Sequence, residues 1–251
     1  MAPQHGALSG AGTIDCRHAA RKGDPMRFQL HEGERISDIE LAFEDLIIAG
    51  MTGRDGTAVQ AHLDELAELD IEPPSTIPIY YRASASLLTT AERIQVIGPD
   101  SSGEVEAMLL GTPEGMLVAV GSDHTDRRVE AYSIAVSKQM CDKPLSRDLW
   151  RYADVADGWD DIELICDRLV GGERHPYQRG TLGAIRKPED LIAGYFDGAR
   201  ELPSGVAMFT GTIATLGDIA GADGFSLSLA DPRSGRTLRH DYDVAVLPVV
   251  A

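Results

Sequence analysis

The sequence predicts a mixed, β-dominated α+β fold. Candidate strands outnumber the two or three candidate helices, and no β-α-β alternation repeats along the chain. A length of 251 residues permits one large domain or two small ones, and a hydrophobic content of 43% is enough for a sizeable core. Because no repeat or low-complexity linker follows residue 26, we expect a single domain over residues 26–251.

The N-terminal segment differs from the rest in composition. Residues 1–25 mix glycine, alanine and histidine with charges of both signs, and they lack the apolar core of a signal peptide. Gly10-Ala11-Gly12 resembles a nucleotide-binding loop, but no strand precedes it and no apolar helix follows. We therefore expect a disordered extension over residues 1–25, with the first strand starting near Met26.

The first half of the chain shows strand patterns around one helix pattern. Residues 37–45 alternate between apolar and polar, which is typical of a half-buried strand, and residues 46–50 are apolar throughout, which fits a strand in the core. A capping pattern followed by apolar residues at helical spacing predicts a helix over residues 57–69. Three prolines in residues 72–78 exclude a helix there and lead into a strand at residues 79–82.

The second half repeats the preference for short strands. Apolar runs predict strands over residues 162–166 and 225–229, and residues 231–236 have turn composition. Between them, Pro188 in the first turn and an apolar stripe that continues to Ala199 predict one helix.

Charge and cysteine content exclude several classes of protein. A net charge of −17 argues against a nucleic-acid partner, because phosphates require a basic surface. No apolar run approaches the ~20 residues that span a bilayer. Cys16, Cys141 and Cys166 are odd in number and widely spaced, which matches neither a disulfide framework nor a zinc motif. We therefore expect free thiols in a soluble cytoplasmic protein with no membrane or nucleic-acid partner.

Two glutamates flank one valine at Glu104-Val105-Glu106. Alternate side chains of a strand share a face, so these carboxylates would lie together, with Cα atoms roughly 6 to 7 Å apart. Carboxylates so close repel each other, and a hard divalent cation such as Mg²⁺ or Mn²⁺ relieves the repulsion. The same pattern is also common on the solvated face of antiparallel strands that bind no metal.

A second apolar run adds a third carboxylate. Residues 116–120 are predicted to pair with the strand of the two glutamates through a turn at residues 111–115. This pairing brings Asp123, just past the strand end, toward Glu104. Convergence of three carboxylates is harder to explain as a solvated face, so the sequence predicts a metal site on these two residues and Glu106.

An ordered set of motifs resembles the fumarylacetoacetate hydrolase superfamily, whose members act on 2-oxo or β-diketo acids. That family has Glu-x-Glu on a strand, then an Asn-Asp-x-x-x-Arg segment, a lysine, and a Gly-Thr turn after a Leu-x-x-Gly loop. The matching elements are Glu104-Val105-Glu106, residues 122–127, Lys138, residues 202–205 and residues 210–213. More closely, the chain looks like a divergent bacterial branch of unassigned function.

The resemblance implies a β-roll-like fold with a few peripheral helices and, often, a homodimer. It also implies Mg²⁺, or Mn²⁺ or Ca²⁺, on Glu104, Glu106 and Asp123, with a small-molecule carboxylate as substrate. A 2-oxo acid chelates such an ion through its keto and carboxylate oxygens, which favours an enolate. We therefore predict a metal-dependent hydrolase or lyase of carbon-carbon bonds. The alternatives are a decarboxylase, hydratase or isomerase on a 2-oxo acid, or a non-catalytic ligand-binding relative.

One departure from the family concerns water activation. The family's water-activating histidine would lie in a loop that here reads Thr52-Gly53-Arg54-Asp55, without histidine. We predict that Asp55 is the general base and that Arg54 orients it or grips the substrate. Asp55 as a helix cap is the alternative. His124 follows the third carboxylate, and we favour a supporting role for it over that of a base.

The remaining candidate residues follow from the same motifs. Arg127 lies four residues after Asp123, so a helix that begins there would hold both on one side and carry Lys138 further on. Arg127 would bind the substrate, and Lys138 would stabilise an enolate or shuttle a proton if burial lowers its pKa. A solvated lysine is the alternative.

Four more residues are predicted to contact the substrate. Arg82 replaces a family lysine and offers a planar fork for a carboxylate, and Ser86 follows it as a candidate wall of the site. Gly211 and Thr212 offer a closely approaching amide and a hydroxyl. The alternative for the segment of Arg82 and Ser86 is a plain edge strand. The alternative for Gly211 and Thr212 is a simple tight turn.

Overall fold

The computed structural model describes residues 23–56 and 76–250. The predicted helix over residues 57–69 and most of the predicted extension over residues 1–25 lie outside this part of the chain. The strands of the described residues are β1 (Met26–Glu32), β2 (Arg35–Leu41), β3 (Asp45–Gly50), β4 (Ile79–Ala83), β5 (Leu88–Thr89), β6 (Arg93–Ile97), β7 (Ser101–Ser102), β8 (Val105–Thr112), β9 (Gly115–Ser122), β10 (Thr125–Asp126), β11 (Lys143–Pro144), β12 (Asp148–Arg151), β13 (Glu163–Val170), β14 (Glu173–Thr181), β15 (Val206–Phe209), β16 (Gly224–Ala230) and β17 (Thr237–Leu247).

Helices in this part of the chain are few and short. They are α1 (Arg127–Glu130), α2 (Ile134–Met140), α3 (Tyr152–Val155) and α4 (Pro188–Tyr195), with 3₁₀ turns at Ala85–Leu87, Ala156–Asp161 and Leu182–Ala184. Strands therefore dominate, and the predicted α+β class is confirmed. The helix predicted at Pro188 is also confirmed, with proline in its first turn.

The strands form two main sheets. The larger has eight strands in the order β2-β1-β12-β9-β8-β15-β3-β4, and the smaller has five in the order β14-β13-β16-β17-β6. Two further pairs, β10-β7 and β11-β5, extend beside the larger sheet. Most strand pairs of the described residues are antiparallel, but four are parallel, and one of these, β3 with β15, brings together segments that are far apart in sequence.

The centre of the large sheet is the predicted hairpin. β8 and β9 pair from Val105 opposite Ser122 to Thr112 opposite Gly115, so only Pro113 and Glu114 form the turn. The strands thus extend further into the predicted turn than expected, while the pairing itself is confirmed.

Alternate residues of β8 enter two different cores. Val105, Ala107 and Leu109 pack with the smaller sheet in one buried cluster. Met108 and Leu110 pack in a second cluster on the opposite face. Because the strand is buried on both faces, its backbone position is tightly fixed, and a carboxylate at its start is held with it.

The structure also contains the two strands that the change of pattern over residues 37–50 predicts. They are β2, which ends at Leu41 rather than at residue 45, and β3, which begins at Asp45. Cys141 and Cys166 are free and buried, which confirms the expected free thiols for these two. Over the described residues, every helix is too short or too polar to cross a membrane.

Candidate metal centre

Four strands of the large sheet meet at one edge. β8 begins there and β9, β15 and β3 end there, because β8 is antiparallel to both β9 and β15 and β15 is parallel to β3. Glu106 lies at the start of β8, and Asp123, Gly211 and Thr52 follow the other three strands. Long-range strand pairing therefore brings together side chains from separate parts of the sequence.

The three predicted metal ligands converge at this edge. The backbone N–H of Asp123 donates to the carbonyl oxygen of Glu104 (3.0 Å), which continues the hairpin ladder by one bond. One carboxylate oxygen from each of Glu104, Glu106 and Asp123 lies within 4.8 Å of the others. Glu106 is 2% exposed and Asp123 is 0% exposed. These three residues, hereafter the acidic cluster, are not a solvated face.

Glu106 is the carboxylate of the cluster whose negative charge is least stabilised by its surroundings. Burial raises its pKa well above the usual value, and the charges of Asp123 and Glu104 raise it further. The Gly211 backbone N–H donates to its Oε2 (2.6 Å), which acts in the opposite direction. The balance favours the neutral acid unless another positive charge is present.

Asp123 is instead held between two lysines. Lys138 donates to Oδ2, and Lys143 Nζ lies 3.1 Å from Oδ1. Burial alone would raise the pKa of Asp123, but the charges of Lys143 and Lys138 outweigh burial, and the pKa is lowered. Asp123 therefore favours its charged form.

Lys138 lacks the lowered pKa that a proton shuttle requires. Burial acts to lower its pKa, but the charges of Asp123 and Glu104 outweigh burial and raise it. Nζ lies 3.7 Å from Glu104 Oε2 and 5.9 Å from the ring centre of Tyr81. Lys138 is a buried ammonium group that faces the cluster, so the expectation of a solvated lysine is wrong.

Arg127 reaches the cluster by a route that differs from the prediction. Asp126, not Asp123, caps the helix, and α1 is only four residues long. From its first turn, Arg127 lies 3.2 Å from Glu104 and 2.9 Å from Glu130, and it donates to Ser102 Oγ (2.6 Å). The prediction of a helix that starts at Asp123 is wrong, because α1 starts at Arg127. Arg127 nevertheless lies close to Glu104 of the acidic cluster.

Gly211 and Thr212 contact the strand that carries Glu106. Besides the Gly211 amide bond to Glu106, the Thr212 hydroxyl donates to the carbonyl oxygen of Val105 (2.7 Å) and accepts from Gln178 Nε2 (2.9 Å). Both predicted substrate contacts thus lie beside the cluster and hold its backbone. Gly211 has φ of +100°, and a Cβ there would overlap the hydroxyl of Thr52.

Changing Gly211 to alanine is expected to lower the free energy of unfolding by about 1–3 kcal/mol, because the new methyl group meets Thr52 in a left-handed conformation. Urea denaturation measures this change. Gly217 is the matched control, since it has open space around its Cβ position, and Gly217→Ala is expected to change stability little. Equal effects of the two variants would contradict the strain at residue 211.

Three predicted residues, Arg82, Ser86 and Arg54, form hydrogen bonds away from the acidic cluster. Arg82 pairs with Asp45 and donates to Tyr195 Oη, on the face of β4 opposite to Tyr81, which faces Lys138. Ser86 bonds to Ser84 (2.7 Å). Arg54 forms two bonds to Asp160 and two to the carbonyl oxygen of Ile185, which fixes its guanidinium away from the cluster. Asp55 follows Arg54 in the same loop, and its catalytic role stays a prediction.

Sequence reasoning missed Lys143. This lysine is 0% exposed, and besides contacting Asp123 it donates to the carbonyl oxygen of His124 (2.5 Å). It lies at the start of β11, after α2, where neither spacing nor charge pattern distinguishes it from a surface lysine. Only the tertiary fold identifies it.

The His124 ring forms its hydrogen bonds with groups other than the acidic side chains. Burial lowers its pKa to about 3, and the charges of Lys143 and Arg127 act in the same direction. Both ring nitrogens have partners, Tyr242 Oη and Ser101 Oγ, each at 2.9 Å. His124 is therefore a neutral, buried residue with a supporting position, as favoured from the sequence.

The donor set fits a hard divalent cation. All three groups offer carboxylate oxygens, which Mg²⁺, Mn²⁺ and Ca²⁺ prefer. Asp123 Oδ1 is buried without a hydrogen bond of good geometry, although Lys143 lies 3.1 Å away, and such an oxygen is suited to a metal bond. Only one bond to the buried Glu106 carboxylate is found among the described residues.

Comparison with known proteins identifies a family and a fold for this chain. The family described as protein of unknown function (DUF2848) matches residues 49–242. No curated protein matches the chain. Solved structures match over nearly the whole chain and belong to fumarylacetoacetate hydrolase-like proteins, which confirms the resemblance in fold.

Three of these structures define the likeness. A candidate fumarylpyruvate hydrolase from Burkholderia cenocepacia is 17% identical with a TM-score of 0.59, covering 98% of this chain and 100% of its own. A candidate fumarylacetoacetate isomerase/hydrolase from Oleispira antarctica is 18% identical with a TM-score of 0.60, covering 86% and 98%. The fumarylpyruvate hydrolase from Pseudomonas aeruginosa in complex with Mn²⁺ and pyruvate is 16% identical with a TM-score of 0.56, covering 92% and 100%.

Proposed function

The chain belongs to the DUF2848 family and has a fumarylacetoacetate hydrolase-like fold, and from this we propose that it is a metal-dependent hydrolase or lyase of small 2-oxo or β-diketo acids. The observation that carries the proposal is the acidic cluster, in which two of three carboxylates are buried and all lie within 4.8 Å. Burial of like charges is costly, so a site that keeps them together is suited to a bound cation. The Mn²⁺ and pyruvate in the Pseudomonas aeruginosa protein support the same choice of ligand.

The charges around the cluster support an anionic substrate. Arg127, Lys138 and Lys143 place three cations against the three carboxylates. A divalent cation held by Glu104, Glu106 and Asp123 would add two positive charges, and it would polarise a carbonyl group and stabilise negative charge on its oxygen. The resulting surplus of positive charge favours a carboxylate ligand at this position.

Two residues are positioned to act on such a ligand. Lys138 is an ammonium group at the cluster, so it can donate a hydrogen bond to an oxygen that gains negative charge. Arg127 borders an open cavity of about 480 Å³ whose lining also includes Asp100, Arg128 and Ile219. Arg127 thus contacts Glu104 and also borders this cavity, so it is our candidate for orienting a substrate carboxylate.

The type of bond cleavage depends on a general base. Hydrolysis requires a group that removes a proton from water, and His124, which follows Asp123 in the chain, has both ring nitrogens engaged. Asp55 is the candidate base in our proposal, because its loop also contains Thr52, which packs against Gly211. Decarboxylation or isomerisation needs a stabilised enolate without an activated water, so these reactions remain the second candidates.

Calorimetric titration of the metal-stripped protein with Mn²⁺ tests the proposal. We expect saturable binding of one ion per chain and tighter binding when oxalate, a mimic of a 2-oxo acid enolate, is present. The reason is that oxalate supplies the negative charge that the cationic surroundings favour. Absence of saturable Mn²⁺ binding with and without oxalate would contradict the metal site.

A substrate panel then separates the reactions. Acylpyruvates, oxaloacetate and sugar-derived 2-oxo acids are offered to the Mn²⁺-loaded protein, and loss of enol absorbance and release of CO₂ are followed. Cleavage of acylpyruvates supports hydrolysis, and CO₂ release supports decarboxylation. Metal binding without turnover of any compound would favour the non-catalytic ligand-binding relative.

A further inference from the structure

A chain of buried hydrogen bonds lies behind the acidic cluster. His124 Nδ1 lies 2.9 Å from Tyr242 Oη, and its Nε2 lies 2.9 Å from Ser101 Oγ. Tyr242 in turn donates its hydroxyl proton to Ser122 Oγ (2.9 Å). All four residues are at least 96% buried, so water does not compete for these bonds. We call these four residues the buried polar network.

The direction of one bond fixes the others. Because Tyr242 donates to Ser122, its oxygen is left to accept a proton, and His124 must supply that proton from Nδ1. If the ring is neutral, Nε2 then has no proton and accepts from the Ser101 hydroxyl. The geometry therefore selects the Nδ1–H form of the neutral imidazole.

The network is joined to two of the proposed metal ligands. Ser122 Oγ also accepts from the backbone N–H of Glu104 (3.2 Å), and Ser122 and His124 are the immediate neighbours of Asp123 in sequence. Lys143 holds the same segment from the other side through the His124 carbonyl oxygen. The backbone on both sides of Asp123, and the start of the Glu104 segment, are thus restrained by one set of bonds.

Tyr242 connects this segment to the other sheet. It lies on β17, and its ring stacks on Phe225 of β16 with centroids 5.7 Å apart. Gly103 lets the tyrosine hydroxyl approach, because a Cβ there would lie 2.7 Å from Oη. The hydroxyl is therefore anchored by the core of the smaller sheet and reaches across to the ligand-bearing edge of the larger one.

We infer that Tyr242 and His124 are positioning residues for the metal centre, which hold Asp123 and Glu104 in the geometry that binds a divalent cation. The inference rests on the proposed function. Partners that orient metal ligands typically contribute 10- to 100-fold to metal affinity. Neither residue contacts a carboxylate of the cluster in the described structure, so each acts through the backbone of residues 122–124 and 104.

Nitrogen-15 NMR of His124 in the metal-free full-length protein tests the network itself. At a pH where the ring is neutral we expect its proton on Nδ1, and a loss of this preference in Tyr242→Phe, because the acceptor for that proton is removed. A neutral wild-type ring protonated at Nε2 would overturn the inference. This measurement does not depend on any activity.

Mn²⁺ calorimetry tests the consequence for the metal centre. Tyr242→Phe is expected to weaken Mn²⁺ binding about 10- to 100-fold. Tyr177→Phe is the matched control, because Tyr177 is also buried against Phe225 but its hydroxyl accepts only from the amide of Ala220 among the described residues. We expect the control to change Mn²⁺ affinity less than about twofold, even where both variants melt at a lower temperature.

The outcomes separate this inference from the proposed function. If the wild-type protein binds no Mn²⁺, the proposed function fails, and a positioning role toward a metal fails with it. If the wild-type protein binds Mn²⁺ and Tyr242→Phe binds it like Tyr177→Phe, only the inference fails. Ser122→Ala, which removes the acceptor shared by Tyr242 and Glu104, gives a second test should Tyr242→Phe not fold, and unchanged affinity in it would also overturn the inference.

Discussion

Replacing Glu106 with glutamine is expected to reduce Mn²⁺ affinity at least ~100-fold while leaving the protein as stable as the wild type or more stable. The amide keeps the shape of the carboxylate and can still accept the Gly211 N–H, so the fold is retained. Because burial and two neighbouring carboxylates raise the pKa of Glu106, a neutral side chain fits this position well without metal. Calorimetry and thermal denaturation measure the two effects.

Glu189→Gln is the control for this substitution. Glu189 is also a glutamate with a hydrogen bond, which it accepts from Tyr152 Oη (2.5 Å), but it lies on α4 outside the acidic cluster. We expect its replacement to leave Mn²⁺ affinity unchanged. Wild-type affinity in Glu106→Gln would show that Glu106 is not a ligand.

Replacing Lys143 with methionine is expected to lower the stability of the protein, unlike Glu106→Gln. Methionine fills a similar volume, but Asp123 loses the charge at Oδ1 and the His124 carbonyl oxygen loses its donor. Breaking a buried ion pair on one side typically costs about 3–5 kcal/mol, because the other charge stays buried. Urea denaturation of the metal-free protein should therefore show a loss of that order.

Two further variants test whether the loss of stability comes from the buried ion pair. Arg27 and Glu40 form an exposed pair at 3.0 Å, and Arg27→Met should change stability little, because solvent screens such pairs. The double variant Lys143→Met, Asp123→Asn should recover part of the lost stability, since no uncompensated carboxylate is left. A single Lys143 variant with wild-type stability would mean that the lysine is not paired as described.

Glu106→Gln and Lys143→Met are expected to affect stability differently, because Glu106 and Asp123 have different partners. Asp123 has two lysines and a lowered pKa, whereas Glu106 has one backbone amide and a raised pKa. Asp123 therefore favours the charged form, whereas Glu106 favours the neutral form unless the proposed cation is bound.

The acidic cluster could be predicted because its information is local. Glu104 and Glu106 have the two-residue period of a strand, and the turn between β8 and β9 fixes which residue faces which. Once the hairpin is assigned, Asp123 must lie next to Glu104. The fold class was predictable for the same reason, since strand patterns recur along the chain.

The errors concern side-chain direction and helix starts. Arg82 lies on the strand next to β3, but which face of β4 turns toward the cluster depends on pairing with Ile47, more than thirty positions away in sequence. Asp123 and Asp126 are equally good helix caps by residue type, and only the strand pairing of Asp126 with Ser101 decides between them. Lys143 carries no local signal at all.

The meeting of strand ends at the cluster also determines when the centre forms during folding. The three ligands lie within twenty positions of one another on a hairpin, but their restraints come from Thr52, Lys143, Gly211 and Tyr242. Contacts of such long sequence separation form slowly, after local hairpins. We therefore expect a nascent hairpin to bring the carboxylates together before the distant restraints form, and the proposed cation to bind late in folding.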